Sequence, residues 1–287
     1  MILRPSAALV LVAILGFRVG VAQDVSGDIP EGMEESAEEH MREELGVNEV
    51  TAPQIQKLLF DLDSFQPIPM ALVESTDLNA TYPNRFQTAL NFGGLVADGF
   101  VIVINKRAQD IQNIGRALIK QARALGVGDS LTRRAASLID LGQRGDWGRL
   151  REELIRTQND VEAAMMNLHD EELAHLISFG GWLRGFQLAA NATANNYTPA
   201  RAEGLRRLDV MSYFVDRLDT LNPRLKRTEL VSLLIAKMKT IRQIAGQAEN
   251  RPPSESEVKE MRDLANEMVA AAQSKVDDEG NLLDIQQ

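Results

Sequence analysis

From Asn84 almost to the C-terminus, apolar residues recur every three or four positions, the spacing that gathers them on one face of an α-helix. Leu150, Leu154, Val161 and Met165 form one such stripe, and Leu230, Leu234, Met238, Ile241 and Ala245 form another. The pattern predicts helices over 84–104, 107–125, 130–143, 147–167, 170–195, 199–220, 225–248 and 255–275. The breaks between them carry start and stop chemistry. Gly126-Val127-Gly128-Asp129 and Gly145-Asp146 read as glycine stops followed by acidic N-caps, and Thr198-Pro199 and Ser254-Glu255 read as cap pairs. Only Phe100 to Ile104, a β-branched apolar run, suits a short strand as well as a helix buried on every side. Its place between two helical patterns favours the helix.

Upstream, Thr51-Ala52-Pro53 opens a helix with proline in its first turn, and Ile55, Leu58, Leu59 and Leu62 share a face until Pro67 and Pro69 end it. A short segment from Met70 to Leu78 and a loop over 79–84 lead into the helical body. Within that body, Phe92-Gly93-Gly94-Leu95-Val96-Ala97-Asp98-Gly99-Phe100 resembles Phe179-Gly180-Gly181-Trp182-Leu183-Arg184-Gly185-Phe186 with one residue deleted. The repeat suggests a duplicated helical unit. Leu141 to Trp147 has the form of a tight helix–turn–helix, but no solenoid period runs through the chain.

The two ends differ from the body. One positive charge at Arg4, an apolar run from Ala7 to Phe17 and small residues at Gly20 and Ala22 match a secretory signal cut after Ala22. The run is shorter than the roughly 20 residues a membrane span needs; retention as an anchor is the alternative, since Arg18 stands close to the cut. Residues 23–50 are acidic almost throughout, with Arg42 the only lysine or arginine, and hold few large apolar side chains, so disorder is expected. Residues 276–287 read as a second acidic, flexible tail. The net charge of −10 is therefore concentrated at the ends, and nothing in the near-neutral body points to nucleic acid. The chain has no cysteine, which removes disulfides, thiolate metal sites and lipidation on cysteine. The resulting expectation is all-α: a multi-helix bundle over 51–275, with two similar halves suggested by the repeat, between acidic ends. Export to a periplasmic or extracellular location is expected.

Three features carry candidate chemistry. The first is the glycines. Each one inside a helix costs about 1 kcal/mol relative to alanine, so their accumulation needs compensation. Phe92, Gly93, Gly94 and Gly99, with Phe179, Gly180, Gly181 and Gly185, would serve either a tight crossing of the two helices or a ligand cavity beside it. Packing of small residues in a membrane is disfavoured by Asp98 and Arg184.

The second is His169-Asp170-Glu171-Glu172-Leu173-Ala174-His175. Glu172 and His175 have the Glu-x-x-His spacing of di-iron bundles, but no second such pair exists, and Asp170 is expected simply to cap a helix. The third is the basic stretch Arg224 to Arg242. There Lys226, Arg227, Lys237, Lys239 and Arg242 read as a solvated face or as a basic helix for anionic lipid, an acidic partner or the chain's own acidic segment. The usual serine-nucleophile, phosphate-loop and zinc-protease motifs are missing. These features rank a non-enzymatic binding or scaffolding protein of the cell envelope first, its partner an unidentified protein or small ligand with no resident cofactor. An enzyme or metal protein built on His169, Glu172 and His175 ranks second.

Overall fold

The computed structural model describes residues 62–247, 251–277 and 280–283, with the side chains of 129–133 and 135 excepted. The expected signal, the acidic segment 23–50 and most of the helix expected from Thr51 lie outside the described residues. A 3-10 turn, Leu62–Phe65, leads into α1, Met70–Glu74. The body follows as α2 (Arg85–Ile104), α3 (Ala108–Leu125), α4 (Gly128–Arg144), α5 (Trp147–Asn167) and α6 (Glu171–Asn195). The second part comprises α7 (Pro199–Gly204), α8 (Leu208–Thr220), α9 (Pro223–Lys226), α10 (Glu229–Gly246) and α11 (Glu255–Gln273). The described chain is an all-α multi-helix bundle, in which one isolated bridge, Val276 with Leu282, is the sole extended pairing.

The helix boundaries follow the local chemistry. Asn84 caps α2 by accepting from the Gln87 amide at 2.9 Å, and Ser254 with Glu257 forms a capping box at α11. Gly126 and Gly145 take the left-handed conformation that closes a helix without a Cβ clash, at φ of 90° and 69°. Asp146 and Thr198 cap as the sequence predicts. Three expectations need correction. Helix α4 begins at Gly128, so Val127 and not Asp129 stands at its N-cap. The helix expected over 199–220 breaks between Gly204 and Leu208, and the one expected over 225–248 breaks where Thr228 caps α10. At the C-terminus the described part of the expected flexible tail is folded: Val276 is buried, Gly280 accepts from the Leu230 amide, and Glu229 accepts from the Leu282 amide at 3.1 Å.

Helix α2 is the centre of the bundle. Seventeen of its residues are buried, including the whole of Phe100–Val103, so the β-branched run is helical because packing on every side outweighs its strand preference. By length and composition this helix would pass for a membrane span, yet 89% of that apolar window is covered by the rest of the protein. Its most extensive partner is α6, which is likewise buried along most of its length and also packs on α11 and α5. Trp182 of α6 stacks on Phe186 with ring centroids 5.1 Å apart and on Phe179 at 6.2 Å, anchoring the core.

Candidate functional site: the glycine crossing of α2 and α6

The two Phe-Gly-Gly segments meet. A Cβ on Gly93 would collide with the carbonyl oxygen of Ile177, and a Cβ on Gly180 would collide with the carbonyl oxygen of Leu90. Ile177 precedes Gly180 by three residues and Leu90 precedes Gly93 by three, so the contact is reciprocal about a local twofold axis. Gly181 flanks it, with its Cβ position 3.3 Å from the Gly93 carbonyl oxygen. The backbones therefore touch where no side chain intervenes, which offsets the helix-propensity cost of the glycines. The symmetry is local. Helices of 18, 17 and 21 residues follow α2, whereas helices of 6, 13, 4, 18 and 19 follow α6.

The charges that interrupt the two apolar segments find each other at this crossing. Asp98 Oδ1 accepts from Arg184 Nε at 2.7 Å, and both side chains are almost completely buried. Arg184 also donates to Gln187 Oε1, the Leu72 carbonyl at 2.7 Å and Thr76 Oγ1 at 3.0 Å, while Thr76 donates to Asp98 Oδ2 at 2.8 Å. Burial pushes the Asp98 carboxyl above its usual range, and the Arg184 guanidinium and the Thr76 hydroxyl pull it back. The chain from Gln187 continues to Asn266 of α11 at 3.0 Å, so one polar network ties the segment after α1, α2, α6 and α11 together.

Beside this network the crossing leaves a narrow cleft of about 20 Å³, room for roughly one water molecule. Gly94 is half-buried on its wall, with Arg184 Cβ 3.8 Å from where its own Cβ would lie. Asn91 spends its amide protons on the Gln87 and Ala272 carbonyls, the latter near the C-terminus of α11 where helix carbonyls lack partners. Gln121 of α3 is buried against the cleft, and its Oε1 accepts no hydrogen bond. Tyr82 stands at the edge, its phenol pushed up to about 12 by burial and by the Asp77 charge, so it remains a neutral hydrogen-bonding group.

The other expected residues are dispersed. Phe92 and Phe179 are core side chains, Gly185 is buried within α6, and Gly99 makes room for Leu154 of α5, whose Cδ2 lies 3.1 Å from the position of a Cβ. The basic residues do not form one face, because the stretch is cut at Thr228 and residues two apart on a helix point about 200° apart. Lys237 pairs with Glu267 of α11, while Lys239 pairs with Asp219 of α8 at 2.8 Å on the other flank. Lys226 donates to the Asp219 carbonyl at 2.7 Å, Arg242 reaches Ser212 Oγ at 3.4 Å, and Arg227 is exposed after α9.

The histidine cluster does not converge either. His169 stands before α6 in the left-handed conformation, Glu172 accepts from the Asn222 amide, and His175 is pushed down to about 4 by burial and by Arg217. Among the described residues no three histidine, aspartate or glutamate side chains make a metal-ligand group. Asp170 occupies the N-cap position as expected but gives its carboxylate to Arg85 at 2.8 Å instead of to the helix backbone. Sequence reasoning missed Thr76, Tyr82, Asn91 and Gln121, and read Asp98 and Arg184 only as obstacles to membrane packing. Their opposite signs at matching positions of the repeat were the available signal. Comparisons with family models, with curated proteins and with solved structures find no match to this chain.

Proposed function

We propose that the chain is an exported, non-enzymatic helical binding protein whose ligand seat is the cleft beside the α2–α6 crossing. The observation that carries the binding part is the pairing of an open glycine wall at Gly94 with a buried, unpartnered acceptor at Gln121. Concave sites that join a close-packed wall to a few convergent polar groups are the usual seats of small ligands, and this one, with room for about one water in the closed form, must widen at its mouth to admit one. The export part is supported by the charged, apolar and small-residue regions of residues 1–22. Buried ion pairing at the base of the cleft holds its walls in place without offering a free nucleophile, which favours holding a ligand over transforming it.

The test is native mass spectrometry of the protein produced with its own N-terminus in a secreting bacterial host. A chain beginning at Gln23 and carrying a non-covalent small molecule, which Gly94→Leu loses, is the expected result. A bare chain that has kept its first 22 residues in the cytoplasm would refute the reading.

A further inference from the structure

Asn-x-Thr is the acceptor motif for N-linked sugar in exported proteins, and it is usable where it lies on a surface loop. The chain carries it at Asn79-Ala80-Thr81, Asn191-Ala192-Thr193 and Asn196-Tyr197-Thr198. The fold separates the three. Asn191 lies within α6, where its Nδ2 donates to the Gln187 carbonyl and to Asn266 Oδ1, each at 2.9 Å, and Thr193 is buried. Asn196 is exposed, but the two residues after it are tied down: the Tyr197 hydroxyl donates to the Pro253 carbonyl at 2.9 Å, and Thr198 caps α7, which opens with Pro199. Asn79 stands in the loop between α1 and α2, exposed together with Thr81. The Ala80 N–H donates to the Asp77 carbonyl at 3.1 Å, which closes a tight turn with Asn79 at its third position. The Asn79 N–H donates to Asp77 Oδ1 at 2.9 Å and its carbonyl accepts from Lys120 Nζ at 2.5 Å, so its backbone is held. Among the described residues, the Asn79 carboxamide and the Thr81 hydroxyl have no hydrogen-bond partner.

We propose that Asn79 is an N-glycosylation site, modified by a membrane oligosaccharyl transferase as the chain is exported. It rests on the export part of the reading above, because the transferase acts on the far side of the membrane that the chain crosses. Asp77 lengthens the motif to Asp77-Leu78-Asn79-Ala80-Thr81, the form with an acid two positions before the asparagine that bacterial transferases select, whereas Ala189 and Ala194 hold that place before Asn191 and Asn196. In the transfer, Asn79 Nδ2 attacks the anomeric carbon of a sugar carried on a polyprenyl pyrophosphate. The N–C bond forms as the bond from that carbon to the pyrophosphate oxygen breaks. The lipid pyrophosphate leaves with the electron pair, and Nδ2 passes one proton to a carboxylate of the transferase. A carboxamide already spent on the fold, as at Asn191, must first give up its hydrogen bonds, and Asn79 has none to lose.

The test is mass spectrometry of intact chains and of their peptides. Full-length protein isolated from the organism that encodes it should begin at Gln23 and carry one oligosaccharide, on Asn79. Variants are compared in a secreting bacterial host supplied with an oligosaccharyl transferase and a lipid-linked oligosaccharide. Asn79→Gln and Thr81→Ala should lose the sugar completely, while Thr81→Ser, which keeps the hydroxyl, and Asn196→Gln should retain it. The three substituted positions are exposed, so each variant should fold like the parent by circular dichroism. A chain from its own organism that is cut after Ala22 and bare at Asn79 would overturn the inference and leave export standing. A host-made parent chain without sugar, sugar that survives Asn79→Gln, or sugar attached to Asn191 or Asn196 would overturn it equally. A chain kept in the cytoplasm with its signal intact would refute export and the modification together, so the N-terminus tells the two failures apart.

Discussion

Arg184 Nε stands 2.7 Å from Asp98 Oδ1 inside the bundle, and the two residues occupy matching places in the repeated glycine segments. An ion pair this deep gains little over an apolar pair of the same shape, because desolvation of both charges offsets their attraction. Removing one partner is another matter, since it strands the other charge. Asp98→Ala is expected to destabilise by about 3–5 kcal/mol. The double variant Asp98→Leu with Arg184→Met should recover most of that loss. Urea unfolding of the three proteins decides it, and a double variant as unstable as the single one would mean that the hydrogen bonds to Leu72 and Thr76 matter more than the charges.

Adjacent glycines at the crossing should respond in opposite ways. Gly93→Ala and Gly180→Ala put a methyl group into a carbonyl of the facing helix, which forces the helices apart and should cost about 1–3 kcal/mol or more. Gly94→Ala meets only ordinary contact with Arg184 and replaces a poor helix former, so it should be neutral or stabilise by up to about 1 kcal/mol. Thermal unfolding separates these outcomes. Equal losses at Gly93 and Gly94 would remove the distinction between the touching side of α2 and its open side.

Most of the helical architecture was legible because apolar periodicity and caps are local signals: Asp146, Thr198 and Ser254 act where the sequence places them. The failures are tertiary. Nothing local shows that Gly93 instead of Gly94 faces the partner backbone, because the two differ by a 100° turn on a helix that is apolar all round. Nor does sequence show that Asp170 turns to Arg85, some 85 positions away, in place of its own helix. The folded segment after Gln273 was missed for a similar reason. Its acidity suggests solvent exposure, while its order comes from a buried Val276 and from hydrogen bonds to residues at the start of α10.

The basic residues after Arg224 bear on partner choice. Because Lys237 and Lys239 are paired on opposite flanks of α10, they present no continuous positive face to a lipid surface. Lys237→Glu with Lys239→Glu should cost only about 0–1 kcal/mol per exposed pair. Deleting residues 24–49 should leave binding to anionic vesicles at low salt unchanged. Tighter binding by the truncated protein, abolished by the two lysine substitutions, would instead show that the acidic segment covers a working basic surface, an attraction that added salt would weaken.

His175 predicts how stability depends on pH. Its imidazole lies against Arg217, with Glu171 the one nearby group favouring the charged form, and burial and Arg217 together push it down from 6.5 to about 4. The unfolded chain therefore takes up a proton near pH 6.5, while the folded protein resists doing so until about pH 4. The stabilisation from keeping this ring neutral is fully present above pH 6.5 and is lost progressively as the pH falls toward 4. The slope from one such group approaches about 1.4 kcal/mol per pH unit at most, and partial solvent access of the ring reduces it. Urea unfolding at a series of pH values between 7 and 4 should show stability falling with acidity, beyond what the carboxylates contribute at the low end. His175→Gln removes the titrating group and should flatten the upper part of that curve. A variant whose pH dependence between 6.5 and 5 matches the parent would place the acid sensitivity elsewhere and leave His175 as an ordinary solvated histidine.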